Sequence, residues 1–168
     1  MNKVTGAFLI VFVCSISVVI VFTSCVGASN DLHSSSMNMT MMKMMERGNI
    51  AMGFNQNKIA HRFLGMPTGG EIIITALNNS DKETINQINT HVLTIKKEFS
   101  EGNFTKPFFI HSLVVPGSEV MSQKKNSIKY DILKMENGSA LLLTTTDKQL
   151  IGAINQFMEF QAIEHQGH

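Results

Sequence analysis

Four histidines, His61, His91, His111 and His165, and a dense run of methionines are the residues of this 168-residue chain whose types and spacing could do chemistry. Imidazole is the commonest transition-metal ligand and the usual acid–base group near neutral pH. His91 lies one helical turn from Ile88 and Ile95, beside an apolar stripe, and His165 extends the stripe of a second helix beyond Ile154 and Phe157. His61 falls in an expected strand, and His111 follows Phe108-Phe109-Ile110, shortly before Pro116-Gly117. If these elements converge, the four imidazoles form one pocket, and a zinc site asks for three or four such nitrogens at about 2.0–2.1 Å. No His-x-x-x-His spacing ties them locally, so convergence is left to the fold. The same pocket could hold a haem iron or run acid–base chemistry as a small enzyme. A metal-free interaction module with packed histidines is the third alternative.

The methionines suggest a second chemistry. Six of the nine residues from Met37 to Met45 are Met. Thioethers are soft ligands that favour Cu(I), and Met37, Met39, Met41, Met42 and Met44, with His33 nearby, have the spacing of a copper-acquiring segment. The plainer expectation is an adaptable apolar face docked on the domain or a membrane. Met41 and Met45 are spaced i, i+4 and Arg47-Gly48 reads as a stop, so a short helix is expected here.

The elements that would position these residues follow from the patterning. Ile59 to Met66, Thr68-Gly69-Gly70 and Glu71 to Leu77 read as a hairpin, the glycines admitting the positive φ of a tight turn. Asn78-Asn79-Ser80-Asp81 supplies an N-cap, and Ile85, Ile88, Val92, Ile95 and Phe99 recur at helical spacing up to Gly102. Residues 103 to 126 show no period. Ser127 to Met135, Glu136-Asn137-Gly138 and Ser139 to Thr145 form a second hairpin, and Asp147 caps a second helix carrying Leu150, Ile154, Phe157 and Met158. The halves align: Asp81-Lys82 with Asp147-Lys148, Ile85 with Ile151 and Ile88-Asn89 with Ile154-Asn155, an offset of 66 residues. In that alignment His91 matches Phe157 and His165 matches Phe99. The expectation is an α+β fold, a ββα-x-ββα pseudo-repeat with a four-stranded mainly antiparallel sheet and two helices on one face.

Location is written in the N-terminus. Val4 to Phe22 is an uncharged, mostly apolar run of 19 residues behind Lys3, an export signal or a membrane anchor. Phe22-Thr23-Ser24-Cys25 resembles an imperfect lipobox, and Lys3 orients the remainder out of the cytoplasm. The expected division is an anchor over 1–25, a Met-rich tether over 26–51 and a globular domain over 52–168. Cys14 and Cys25 are the only cysteines, so the chain beyond them has neither disulfide nor thiolate chemistry. Four Asn-x-Ser/Thr sequons, beginning at Asn38, Asn78, Asn103 and Asn137, suit an exported surface.

Fourteen Lys+Arg against thirteen Asp+Glu leave a net charge of +1, too little for binding nucleic acid. The nucleophile-elbow, phosphate-loop and His-Glu-x-x-His motifs are all missing from the sequence. The expected partners are the membrane and a metal ion or small ligand; an exposed edge strand of either hairpin could also pair two copies.

The stretch from Met52 to His168 resembles a family of short uncharacterised prokaryotic proteins that often carry the inherited label aspartate carbamoyltransferase. The matching residues are Met52-Gly53-Phe54-Asn55-Gln56, His61-Arg62-Phe63, Gly69-Gly70, His91, Phe99 and Gly102-Asn103-Phe104. The match continues through Pro107, Ile110-His111, Pro116-Gly117, Met121, Tyr130, Ala153-Ile154, Phe157, Phe160-Gln161 and His165. Members tend to carry a His pair at the position of His61-Arg62 and a His where this chain has Asn155. The label implies a two-domain chain about twice as long with a Ser-Thr-Arg-Thr phosphate loop, which this sequence lacks; it contains two Arg in all. What the resemblance implies is that the four histidines fall on recurring motifs, without an attached activity.

Overall fold

The computed structural model describes residues 29–165, with side chains from residue 39 onward. The Val4 to Phe22 run, the Cys25 motif and His168 lie outside the described residues, as do the side chains of His33 and Met37. Among the described residues no helix is long and apolar enough to cross a membrane.

The fold is α+β. Strands β1 (Ile59–Met66), β2 (Gly69–Ala76), β3 (Lys129–Met135) and β4 (Gly138–Thr144) form one antiparallel sheet in the order β1-β2-β4-β3. Among the described residues five α-helices accompany it: α1 (Ser29–Met52), α2 (Lys82–Ser100), α3 (Thr105–His111), α4 (Ser118–Gln123) and α5 (Lys148–Glu164). The two hairpins meet at β2 and β4, and each long helix crosses to the hairpin of the other half: α2 packs on β4 and β3, α5 on β1, and both on β2.

The repeat is physical as well as textual. Asp81 Oδ1 accepts the backbone N–H of Thr84 at 3.0 Å, and Asp147 Oδ1 those of Gln149 and Leu150 at 2.8 and 3.2 Å. Each capping carboxylate also holds a lysine, Lys58 at 3.1 Å and Lys124 at 2.6 Å; these lysines obey the same 66-residue offset. A carboxylate at a helix N-terminus satisfies orphan N–H groups and complements the dipole.

Alternation along the strands sends Ile59, His61, Phe63, Ile72, Ile74, Leu141 and Leu143 towards the helices, whose stripes of Ile88, Val92, Ile95, Leu150, Ile154 and Phe157 complete one core. Glycines allow close approach here. A Cβ on Gly70 would come within 2.9 Å of Ile154 and 2.8 Å of Met158, and one on Gly69 within 2.0 Å of the Leu143 carbonyl oxygen. The first turn is therefore made by Pro67-Thr68, and the Gly pair belongs to β2, where it lets β4 and α5 pack close.

Two elements differ from the expectations. Residues 103 to 126, patternless in sequence, contain α3, α4 and a single 3₁₀ turn at Lys125–Ser127; helices of seven and six residues are too short to display a period. The methionine segment is not a short helix stopped at Arg47-Gly48. Helix α1 runs through Gly48 to Met52 and ends where Gly53 takes φ +78°. Docking outweighs the local stop signal: Met44 and Met52 are buried, Arg47 Nε donates to the Ile110 carbonyl at 2.7 Å, and the Gln56 amide fills the space beside Gly48.

Gly117, at φ +80°, sits with its Cα against the Ala153 carbonyl, whose oxygen a Cβ would approach to 2.0 Å. Gly117→Ala should lower the unfolding free energy in urea by more than about 2 kcal/mol. The bonds from the Thr84 backbone, the Thr84 hydroxyl and Lys58 hold Asp81 at about 2, and the Lys124 bond first, then the Leu150 N–H, lowers Asp147. Carboxyls depressed by folding stabilise fully above about pH 4 and lose that contribution as pH falls through their folded values. Asp81→Asn and Asp147→Asn should each flatten the loss of melting temperature between about pH 4 and 2.

Candidate functional site

Between α2 and α5, Phe99 and Phe157 meet edge to face with ring centres 5.9 Å apart, and Phe104 stacks on Phe99 at 4.5 Å. Exchanging each residue for its repeat counterpart turns the Phe99–Phe157 contact into His165 with His91. Both of these histidines line a small cleft with about 60 Å³ of room. Phe99 and Phe157 line the same cleft as His91 and His165.

The sheet forms the floor of this cleft through His61, Phe63, Ile72 and Ile74; α2 adds Ile95, and α5 adds Gln161. Helix α3 roofs it with Lys106, Pro107 and Ile110, and Met52 and Gln56 close the side where α1 ends. Lys106 is ion-paired with Glu98, so its charge is committed at the rim.

Three of the four histidines singled out from the sequence form a contiguous group. The His165 ring centre lies 5.3 Å from His61 and 5.4 Å from His111, the second pair at right angles. Phe63 packs on both His61 and His165, at 5.8 and 5.3 Å. His91 stands elsewhere on the same wall, edge to face with Phe54 at 5.8 Å. Among the described residues, no three His, Asp or Glu side chains already converge on a common point.

His111 is the most constrained of the group. Its side chain is buried, its ring packs against Phe160 at 5.1 Å, and its Nε2 lies 3.0 Å from Gln161 Oε1. An amide oxygen only accepts, so with the Gln161 amide in this orientation Nε2 carries the proton and Nδ1 presents a bare lone pair. That Nδ1 is buried without a hydrogen-bond donor, 3.8 Å from the Glu164 carboxylate. Burial drives the His111 pKa down, against the Gln161 bond and the Glu164 charge, which act in the opposite sense.

The methionines divide. Met39 and Met42 face solvent, Met41 is partly exposed, and Met44 is buried. Of the four whose side chains are described, Met44 thus faces the core and the other three are accessible, since a helix turns successive residues by about 100°. Met52, Gln161 and Glu164 were not anticipated as site residues. Gln161 carried a signal: it lies one turn before His165 on the core-facing stripe, where a polar residue is out of place.

Burial, and secondarily Lys106, lowers the His91 pKa to about 4. A histidine depressed by folding stabilises fully above its unfolded value near 6.5 and loses that contribution as pH falls towards 4, about 3 kcal/mol across the window. His91→Phe, which copies Phe157 on the other side of the repeat, should remove most of the stability loss between about pH 6.5 and 4 in urea titrations. An unchanged slope would show that His91 stays solvated. No protein-family model, curated protein or solved structure matches this chain.

Proposed function

We propose that this domain binds a transition metal ion, copper or zinc, through His61 and His165 of the α2/α5 cleft and the buried His111 beside them, on the outer side of a membrane to which Val4 to Phe22 anchors the chain. The observation that carries this reading is His111: a neutral imidazole, its tautomer held by Gln161, with a buried, undonated Nδ1 beside a carboxylate. A bare lone pair facing an anion is unfavourable, and a cation between them relieves it. Holding a ligating imidazole through its other nitrogen is the usual outer arrangement of protein metal sites.

The spacing of the neighbours is compatible. Two imidazoles bound to one tetrahedral ion at about 2.0–2.1 Å have ring centres about 5 Å apart, and His165 stands at 5.3 and 5.4 Å from His61 and His111. Binding then asks His61 and His165 on the cleft wall, and His111 packed beside His165, to rotate onto one ion. His61, His111 and His165 are the proposed ligands, with Glu164 a fourth donor and His91 a further imidazole on the wall. Met52, at the side of the cleft, offers a thioether that favours Cu(I) over zinc. Met39, Met41 and Met42, on the accessible side of α1, are the part of the methionine segment that can hand copper on; Met44 is committed to packing. Of the positions where this chain departs from the family it resembles, Arg62 points to the other side of the sheet from His61. The other, Asn155, bonds to the Met66 carbonyl at 3.4 Å and does not line the cleft.

The metal-free full-length chain should retain about one equivalent of copper or zinc after desalting, and saturating metal should raise its melting temperature. His111→Ala and His165→Ala should each weaken binding by at least about 100-fold, and Gln161→Leu by about 10- to 100-fold. Met52→Leu should weaken Cu(I) selectively if copper is the physiological ion. Retention of no metal, together with a melting temperature unmoved by either ion, would overturn the proposal.

A further inference from the structure

Four large apolar side chains stand exposed within seven consecutive residues at the end of α3: Phe108, Phe109, Leu113 and Val114, at 50%, 41%, 43% and 55%. Ser112, at φ 57°, turns the chain there, and Phe108 and Val114 line one shallow groove, which brings the two ends of the run together. From Pro107 to Ser118 there is no Lys, Arg, Asp or Glu. Charge begins only at the borders, where Lys106 is paired with Glu98 and Glu119 lies in the first turn of α4. Apolar residues scattered singly over a surface are ordinary, whereas a cluster with no charge between its members marks a place that meets something apolar.

The path of the chain says what that is. Helix α3 packs against α1 and runs back along it. Lys106, near the start of α3, shares a groove with Ala51, Met52 and Gly53 at the end of α1, whereas the Ile110 carbonyl, one turn later, accepts from Arg47. Leu113 and Val114 therefore follow in the direction of Ser29, where α1 starts and where the segment carrying Val4 to Phe22 joins it. That uncharged run of 19 residues is long enough to cross a bilayer. The six residues from 23 to 28 reach at most about 20 Å, and Ser29 to Arg47 spans about 27 Å of helix. A bilayer holding the N-terminus is thus within reach of the patch when α1 lies along its surface.

We infer that Phe108, Phe109, Leu113 and Val114 dip into the boundary between headgroups and acyl chains of the membrane that holds the N-terminus. Phenylalanine and leucine are side chains that interfacial segments bury at this depth. The patch carries no charge, so its partner is a zwitterionic lipid surface and the contact is insensitive to salt. Helix α3 also roofs the imidazole cleft, so the same contact sets the cleft beside the membrane. The inference rests on the anchor assigned to Val4 to Phe22 and is independent of the metal.

The chain contains no Trp, so Phe109→Trp introduces a single fluorescent reporter. In the full-length chain reconstituted into phosphatidylcholine vesicles, its emission should be blue-shifted and quenched at least about twofold by lipids brominated in their acyl chains. About 0.5 M salt should leave the quenching unchanged. Leu133→Trp, on the face of the sheet away from the helices and 49% exposed in the parent chain, should remain unquenched. Adding Leu113→Ser and Val114→Ser to Phe109→Trp should lower the quenching, with circular dichroism of every variant matching the parent. Vesicles that float with the protein while the Phe109→Trp reporter stays unquenched, or is quenched no more than the Leu133→Trp control, overturn the inference and leave the anchor standing. A reporter shielded from iodide but not reached by brominated lipid assigns the patch to a protein partner and overturns it too. A chain that fails to float with vesicles removes the anchor and the inference together.

Discussion

The constraint on which the rest of the structure depends is that α2 and α5 both lie on one face of the sheet, each packed chiefly against strands. Each helix is tied at its start to its own half by an aspartate that caps it and binds a lysine from the preceding segment. Each then lies across the hairpin of the other half. Neither ββα unit can therefore bury its helix stripe alone; the two halves exchange helices and share one core. Phe99 and Phe157 fix the depth at which the helices meet, and Gly70 lets α5 settle onto β2 at a distance that any side chain would prevent.

The same placement frames the cleft. His91 and His165 are the repeat counterparts of Phe157 and Phe99, and all four residues line the cleft between the helices and the sheet. Desolvation there is unfavourable for charge, which keeps His91 neutral down to about pH 4 and leaves nitrogen lone pairs inside apolar walls. An imidazole with a free lone pair in such a place is a good ligand and a poor proton carrier. The roof over this cleft, α3, is itself held by α1 through Arg47 and the carbonyl of Ile110. The methionine helix is mechanically part of the site even where its sulfurs point outward.

Much of the fold was legible locally because the signals were strong and mutually consistent. Asp81 and Asp147 announced helix starts, Asn137-Gly138 announced a turn, and the stripes from Ile85 to Phe99 and from Leu150 to Phe157 ran long enough to establish a period. Helices α3 and α4 were not legible, since two turns of helix hold too few residues for periodicity and are stabilised by what they cover. Gly48 misled for a related reason: a glycine reads as a stop when only local propensity is weighed, but here it is the one residue small enough to admit the Gln56 amide, which bonds to the Met45 carbonyl at 3.1 Å.

The sequence by itself determined the α+β class, the two capped amphipathic helices, the internal repeat and two histidines, His91 and His165, where the other half carries Phe, because each of these is a matter of residue type and spacing along the chain. Only the tertiary structure decided that His61, His111 and His165 are neighbours, that Gln161 holds His111 in one tautomer, and that the methionines divide between core and solvent. Those facts depend on residues 50 to 104 positions apart. Their separation is set by how deeply two helices pack on a sheet, and no local pattern encodes that depth.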